Sequence, residues 1–112
     1  MNQVNQCQLA TNEPEMEAML KSKERLLVLV FATWCPFCRR YLPVFEKYAR
    51  GREDFLLVQD DQEIVADRYE IEVIPTLLYF EDGTLAKRLD GELGVGLSER
   101  QLTEFIKDCG LA

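Results

Sequence analysis

Hydrophobic positions along this chain fall into blocks with two kinds of spacing. The run Leu26-Leu27-Val28-Leu29-Val30-Phe31-Ala32 is unbroken and rich in branched residues. That is the pattern of a strand buried on both faces at the centre of an α/β sheet. Phe55 to Val58 is a shorter version and predicts a second parallel strand. Between them, Tyr41, Phe45 and Tyr48 recur at helical spacing, which predicts a helix from about Pro36 to Ala49, stopped by Gly51. Pro43 lies inside that helix, where a kink is expected.

Outside this middle section the signals are more local. Asn2 to Ala10, rich in Asn and Gln, reads as a frayed end or a weak edge strand. Thr11 or Asn12 caps a first helix, with Pro14 in its opening turn and Met16, Met19 and Leu20 on one face. Glu63 to Tyr69 reads as a short helix. Thr76 to Phe80 and Leu85 to Leu89 flank Glu81-Asp82-Gly83-Thr84, a hairpin signal. Ser98-Glu99-Arg100-Gln101 is a capping box opening a last helix, which turns Leu102, Phe105 and Ile106 inward and stops at Gly110. The order is (β)αβαβαββα, and with no repeat or linker it predicts one α/β domain over residues 1–112.

Composition narrows the range of functions. Of 112 residues, 47 % are hydrophobic and 29 % charged, the balance of a globular chain able to bury a core. A net charge of −7 argues against nucleic acid or an anionic membrane as partner. No histidine is present, which removes the commonest general base and metal ligand. The longest apolar run is far shorter than the roughly 20 residues of a membrane-spanning helix. It also begins too late to act as a signal peptide. A cytoplasmic location is the expectation. There, a Cys-x-x-Cys pair is more often catalytic or metal-binding than a structural disulfide.

Such a pair is present, in Thr33-Trp34-Cys35-Pro36-Phe37-Cys38-Arg39-Arg40, directly after the apolar strand. It can hold a metal, form a static staple, or exchange electrons with another protein's disulfide. Zinc needs four ligands, and without histidine only Cys7 and Cys109 remain to complete the set. A disulfide closing so small a loop stabilises little. Position favours exchange, because the end of a central strand opening the next helix is the functional edge of an α/β sheet. Pro36 forces Cys35 into an extended conformation at the helix N-cap. There its sulfur can accept hydrogen bonds from the Phe37 and Cys38 amides. The helix dipole, with Arg39 and Arg40, is expected to favour its thiolate. Cys38, one turn on, is expected to be more buried and less acidic. Cys35 would be the nucleophile and Cys38 the resolving thiol of a dithiol exchanger.

The motif set resembles thioredoxin. It comprises Trp34-Cys35-x-x-Cys38 after a buried strand, Pro43 five residues beyond, and Ile74-Pro75-Thr76 opening the next-to-last strand. The likeness runs from about residue 13 to the C-terminus. It implies a thioredoxin fold, with a central mixed sheet of four to five strands flanked by about four helices. It also implies a cis peptide at Ile74–Pro75 beside the cysteines, with the Ile74 backbone pairing an extended client segment. Trp34, Pro36, Phe37, Ile74, Thr76 and Gly91, with the glycine-rich loop to Gly96, would form the client platform. The ordinary alternatives are Trp34 as core and the glycines as turn residues. The resemblance further implies a monomer that needs no bound cofactor beyond its redox-active cysteines. Client proteins with disulfides and a flavoprotein of the thioredoxin-reductase kind would be its partners.

Two departures qualify that picture. Thioredoxins usually carry Gly-Pro between the cysteines, whereas Pro36-Phe37 is closer to the Pro-Tyr of glutaredoxins and predicts a better oxidant. A buried aspartate that helps deprotonate the resolving cysteine in the family is replaced by Leu29, and its lysine partner is missing from Phe55 to Val58. Losing both partners of a buried pair together is energetically reasonable. The rivals to a thioredoxin-like enzyme are a glutathione-linked, glutaredoxin-like reductase and a binding module with weak exchange. Cys7 and Cys109 read as bystander thiols, with a disulfide to another chain or a regulatory thiol as alternatives. Asp60-Asp61 reads as a pair of solvated loop residues near the active-site edge.

Overall fold

A computed structural model describes residues 7–112 of the chain. Its elements are β1 (Gln8–Ala10), α1 (Glu13–Ser22), β2 (Arg25–Phe31), α2 (Pro36–Ala49), β3 (Phe55–Gln59), α3 (Ile64–Arg68), β4 (Thr76–Glu81), β5 (Thr84–Leu89) and α4 (Glu99–Asp108). They form one five-stranded sheet in the order β1-β3-β2-β4-β5. β1, β3 and β2 run parallel, while β4 and β5 are antiparallel to their neighbours. The N-terminal stretch forms a short edge strand at Gln8–Ala10, and the rest of that expectation, residues 1–6, lies outside the described residues.

β2 is central, and Leu26 to Phe31 are all buried. Its alternation divides the core in two. Leu27, Leu29 and Phe31 belong to the cluster that α2 and α4 supply with Cys38, Tyr41, Phe45 and Leu102. Leu26, Val28 and Val30 face the opposite cluster, with Met16, Leu20 and Val65. Helices therefore cover both faces, which is why the strand reads as continuously apolar instead of alternating. Burying each large side chain of this kind contributes about 1.5–3 kcal/mol.

Local chemistry sets the helix ends. The Asn12 side chain accepts the Glu15 N–H at 2.9 Å. Ser98 and Gln101 form the reciprocal capping box, with bonds of 2.8 and 3.1 Å. α2 continues past Pro43 as a single helix of 14 residues.

The sequence reading fails at Asp60. This side chain is buried, and its carboxylate accepts the Val65 and Ala66 amides at 2.9 and 2.8 Å. Glu63, the residue before α3, supplies no side-chain cap and sits at φ 62. The cap comes instead from three residues further back, where Asp60 takes up unpaired amides at the start of the helix.

Candidate active site

The cysteine pair lies where β2 gives way to α2. Cys35 is the N-cap of α2, extended at φ −95 and ψ 116, with Pro36 at the first helical position. The Cys38 amide donates to its sulfur at 3.3 Å. All four cysteines carry free thiols, and the Cys35 S–H lies 3.8 Å from the Ile74 carbonyl oxygen. Cys38 is fully buried, and that burial, aided by its neighbour Cys35, pushes its thiol up to about 12.

Among the described residues, none that shares the apolar cluster of Cys38 supplies a buried base. Leu29, 0 % exposed, pairs with Leu57 on one side and Leu77 on the other, and all three share the apolar cluster of Cys38. Among the described residues, the buried polar or charged side chains are Asp60 and Thr76. Asp60 is committed to α3, as described above.

The Ile74–Pro75 peptide bond is cis and faces the cysteines. Behind it, the Thr76 hydroxyl donates to the Val73 carbonyl at 2.6 Å and receives the Gly91 amide at 3.4 Å. Gly91 is itself buried, and a Cβ there would come within 2.5 Å of the Pro75 carbonyl oxygen. Thr76 and Gly91 thus brace the proline loop from within instead of lying on the surface.

In front, a groove of about 280 Å³ is lined by Trp34, Cys35, Pro36 and Phe37 on one side and by Ile71, Val73 and Ile74 on the other. Trp34 is 54 % exposed and is not a core residue. Its indole N–H donates to the Asp61 carbonyl at 3.0 Å. The Asp61 carboxylate accepts the Thr33 amide at 2.7 Å and the Thr33 hydroxyl at 2.9 Å. The amide bond, foremost, holds the Asp61 carboxyl below the usual carboxylate range.

Sequence reasoning missed Asp61 as the anchor of Trp34, and it placed the Gly91–Gly96 loop at the client platform through its glycines, of which Gly94 lines the groove, without singling out Leu93. The segment after β5 closes on itself through a Glu92–Gly96 bridge, leaving Leu93 83 % and Val95 61 % exposed. Leu93 reaches the groove. The available signal was an apolar-glycine alternation too short for a strand. Cys7 and Cys109 lie away from the groove, and burial raises both thiols, Cys109 to about 11. Among the described residues there is no cluster of three or more His, Cys, Asp or Glu side chains able to hold a metal ion. No helix among them is long and apolar enough to cross a membrane.

A mixed sheet with helices on both faces, and a dithiol capping the helix after its central strand, defines a class of redox domain. Comparison with known proteins makes it specific. The thioredoxin family model matches residues 7–108. A thioredoxin from Mycoplasmoides gallisepticum is 31 % identical over 100 residues, covering 87 % of this chain and 96 % of that protein. A thioredoxin H-type from Oryza sativa is 38 % identical over 87 residues, covering 71 % of each. The fold superposes on a Plasmodium falciparum thioredoxin with a TM-score of 0.76 at 23 % identity, covering 90 % of this chain and 97 % of that one. The chain belongs to the thioredoxin family and is a thiol–disulfide oxidoreductase.

Proposed function

We propose that the protein reduces or exchanges disulfides in client proteins by cycling Cys35 and Cys38 between dithiol and disulfide. One observation carries this reading: the Cys35 sulfur caps α2 at the end of the groove, one turn from a fully buried Cys38. In the first step the Cys35 thiolate attacks a client disulfide. A Cys35–client S–S bond forms, the client's own S–S bond breaks, and the released client thiolate takes up a proton. In the second step Cys38 gives up its proton and attacks the Cys35 sulfur. The Cys35–Cys38 disulfide forms and the second client sulfur leaves as a thiol. Over the full cycle the dithiol gives up two electrons and two protons, the Cys35 proton having passed to solvent before the attack and being made good from solvent at the client thiolate.

Trp34, Pro36, Phe37 and Ile74 bind the client segment, with the Ile74 backbone pairing it in β-fashion beside the cis Pro75. Thr76 and Gly91 act through that loop as positioning residues. The cycle needs no bound cofactor. A thioredoxin-reductase-like flavoprotein returns the electrons, and the protein works as a monomer in the cytoplasm, where thiols are kept reduced. Equilibration against dithiothreitol or glutathione redox buffers tests this. A single reversible two-electron transition is expected, at or above the roughly −270 mV of thioredoxin. It should vanish in Cys35→Ser and in Cys38→Ser. Absence of a reversible couple in the unsubstituted protein would overturn the reading.

A further inference from the structure

The groove beside Cys35 is lined by three carboxylates, Asp60, Glu63 and Glu72, and by no lysine or arginine. Asp60 is occupied by the amides of α3. Glu63 and Glu72 are exposed, and among the described residues neither carboxylate makes an ion pair or hydrogen bond. Elsewhere Glu13 and Glu17 are matched by Arg68 and Asp90 by Arg88, whereas Glu92, beside Leu93, is exposed and, among the described residues, likewise makes no ion pair. Glu63 is also held in place: its amide donates to the Asp60 carbonyl at 3.0 Å, and its own carbonyl accepts the Asp67 amide at 3.0 Å. Arg39 and Arg40 project from the first turn of α2 outside the groove, with the Arg40 guanidinium 4.9 Å above the Phe37 ring.

We propose that this groove selects extended client segments carrying a lysine or arginine next to the reactive cysteine, with an apolar side chain to meet Leu93, over segments carrying acidic residues. The inference rests on the disulfide-exchange reading above and names its preferred substrate class. Rim charges of this kind act on association and discriminate against like-charged partners. One unit pair at contact in water-like surroundings is worth about fivefold in binding. Two unmatched glutamates therefore favour a basic over an acidic segment by about tenfold or more at low salt. The preference shrinks once the Debye length falls to about 3 Å in 1 M salt.

The test uses the pre-reduced full chain and two peptides. Each contains one disulfide, and they differ only in having two lysines or two glutamates flanking a cysteine. Uncharged hydroxyethyl disulfide is run alongside with the unsubstituted protein. The lysine peptide should be reduced about tenfold faster than the glutamate peptide at low salt, and the ratio should collapse toward one in 1 M salt. Glu63→Gln/Glu72→Gln should cut the low-salt ratio several-fold. Glu24→Gln/Asp82→Asn, which removes the same charge from the far end of the sheet, should leave the ratio in place. Equal rates for the two peptides would overturn the proposal, as would a ratio that falls equally in both double variants. Failure to reduce hydroxyethyl disulfide would overturn the exchange reading itself, and the proposal with it.

Discussion

In the proposed cycle, Leu29 is the residue that governs the resolving step. With Leu57 and Leu77 on its two flanks it leaves Cys38 in apolar surroundings, the main cause of that thiol's rise to about 12. The resolving step needs the Cys38 thiolate, so its rate should climb about tenfold per pH unit from neutrality upward, levelling only near the pKa of Cys38. Stopped-flow release of a preformed mixed disulfide checks this, and a flat profile would show that another group takes the proton. Leu29→Asp should speed the same step at pH 7 by about a hundredfold, the lower range for a positioned base. The same change should cost about 3 kcal/mol or more of stability, because the carboxylate is buried without a partner. Unchanged release in that variant would remove Leu29 from the mechanism.

At the scale of elements, the site depends on how loops are fixed to strands and helices. Gly91→Ala places a Cβ 2.5 Å from the Pro75 carbonyl oxygen. The proline loop must then move, with a loss of about 1–3 kcal/mol in urea denaturation and slower client reduction. Asp60→Ala leaves the Val65 and Ala66 amides unpaired and should cost about 1–2 kcal/mol. The strands and the three long capped helices were legible because each announces itself within its own span: the apolar run of β2, the Asn12 cap of α1, the proline that opens α2, the capping box of α4. Asp60 was not legible in the same way. It takes up amides five and six residues downstream, across a non-helical Glu63, so no local motif marks it. Leu93 and Val95 were hidden for a related reason. An apolar residue between glycines reads equally as core or as surface until the fold shows that its loop stands clear.

For the whole molecule, burial of several thiols and of the Tyr41, Tyr69 and Tyr79 phenols couples folding to alkaline pH. Cys38 is raised to about 12 and Cys109 to about 11, each chiefly by burial, and Tyr41 is raised for the same reason. Their folded-state pKa values lie above the unfolded ones, so folded protein retains these protons after unfolded protein has lost them. Stability should be level below the ordinary cysteine value of 9.0 and fall as pH rises through the range from 9.0 to about 12. Each group adds a slope of about 1.4 kcal/mol per pH unit while it titrates only in the unfolded chain. Urea denaturation across that range in the presence of a reductant should show the decline, and Cys109→Ala should make it shallower. A constant midpoint from pH 9 to 12 would contradict the burial these groups share.

The central claim is that Cys35 attacks and Cys38 resolves. Incubating Cys38→Ser and Cys35→Ser separately with insulin, then quenching in acid and mapping by mass spectrometry, tests it most directly. Cys38→Ser should accumulate a covalent adduct through Cys35 that dithiothreitol releases, and Cys35→Ser should accumulate none. An adduct on Cys38, Cys7 or Cys109, or adducts of equal yield in both variants, would contradict the account.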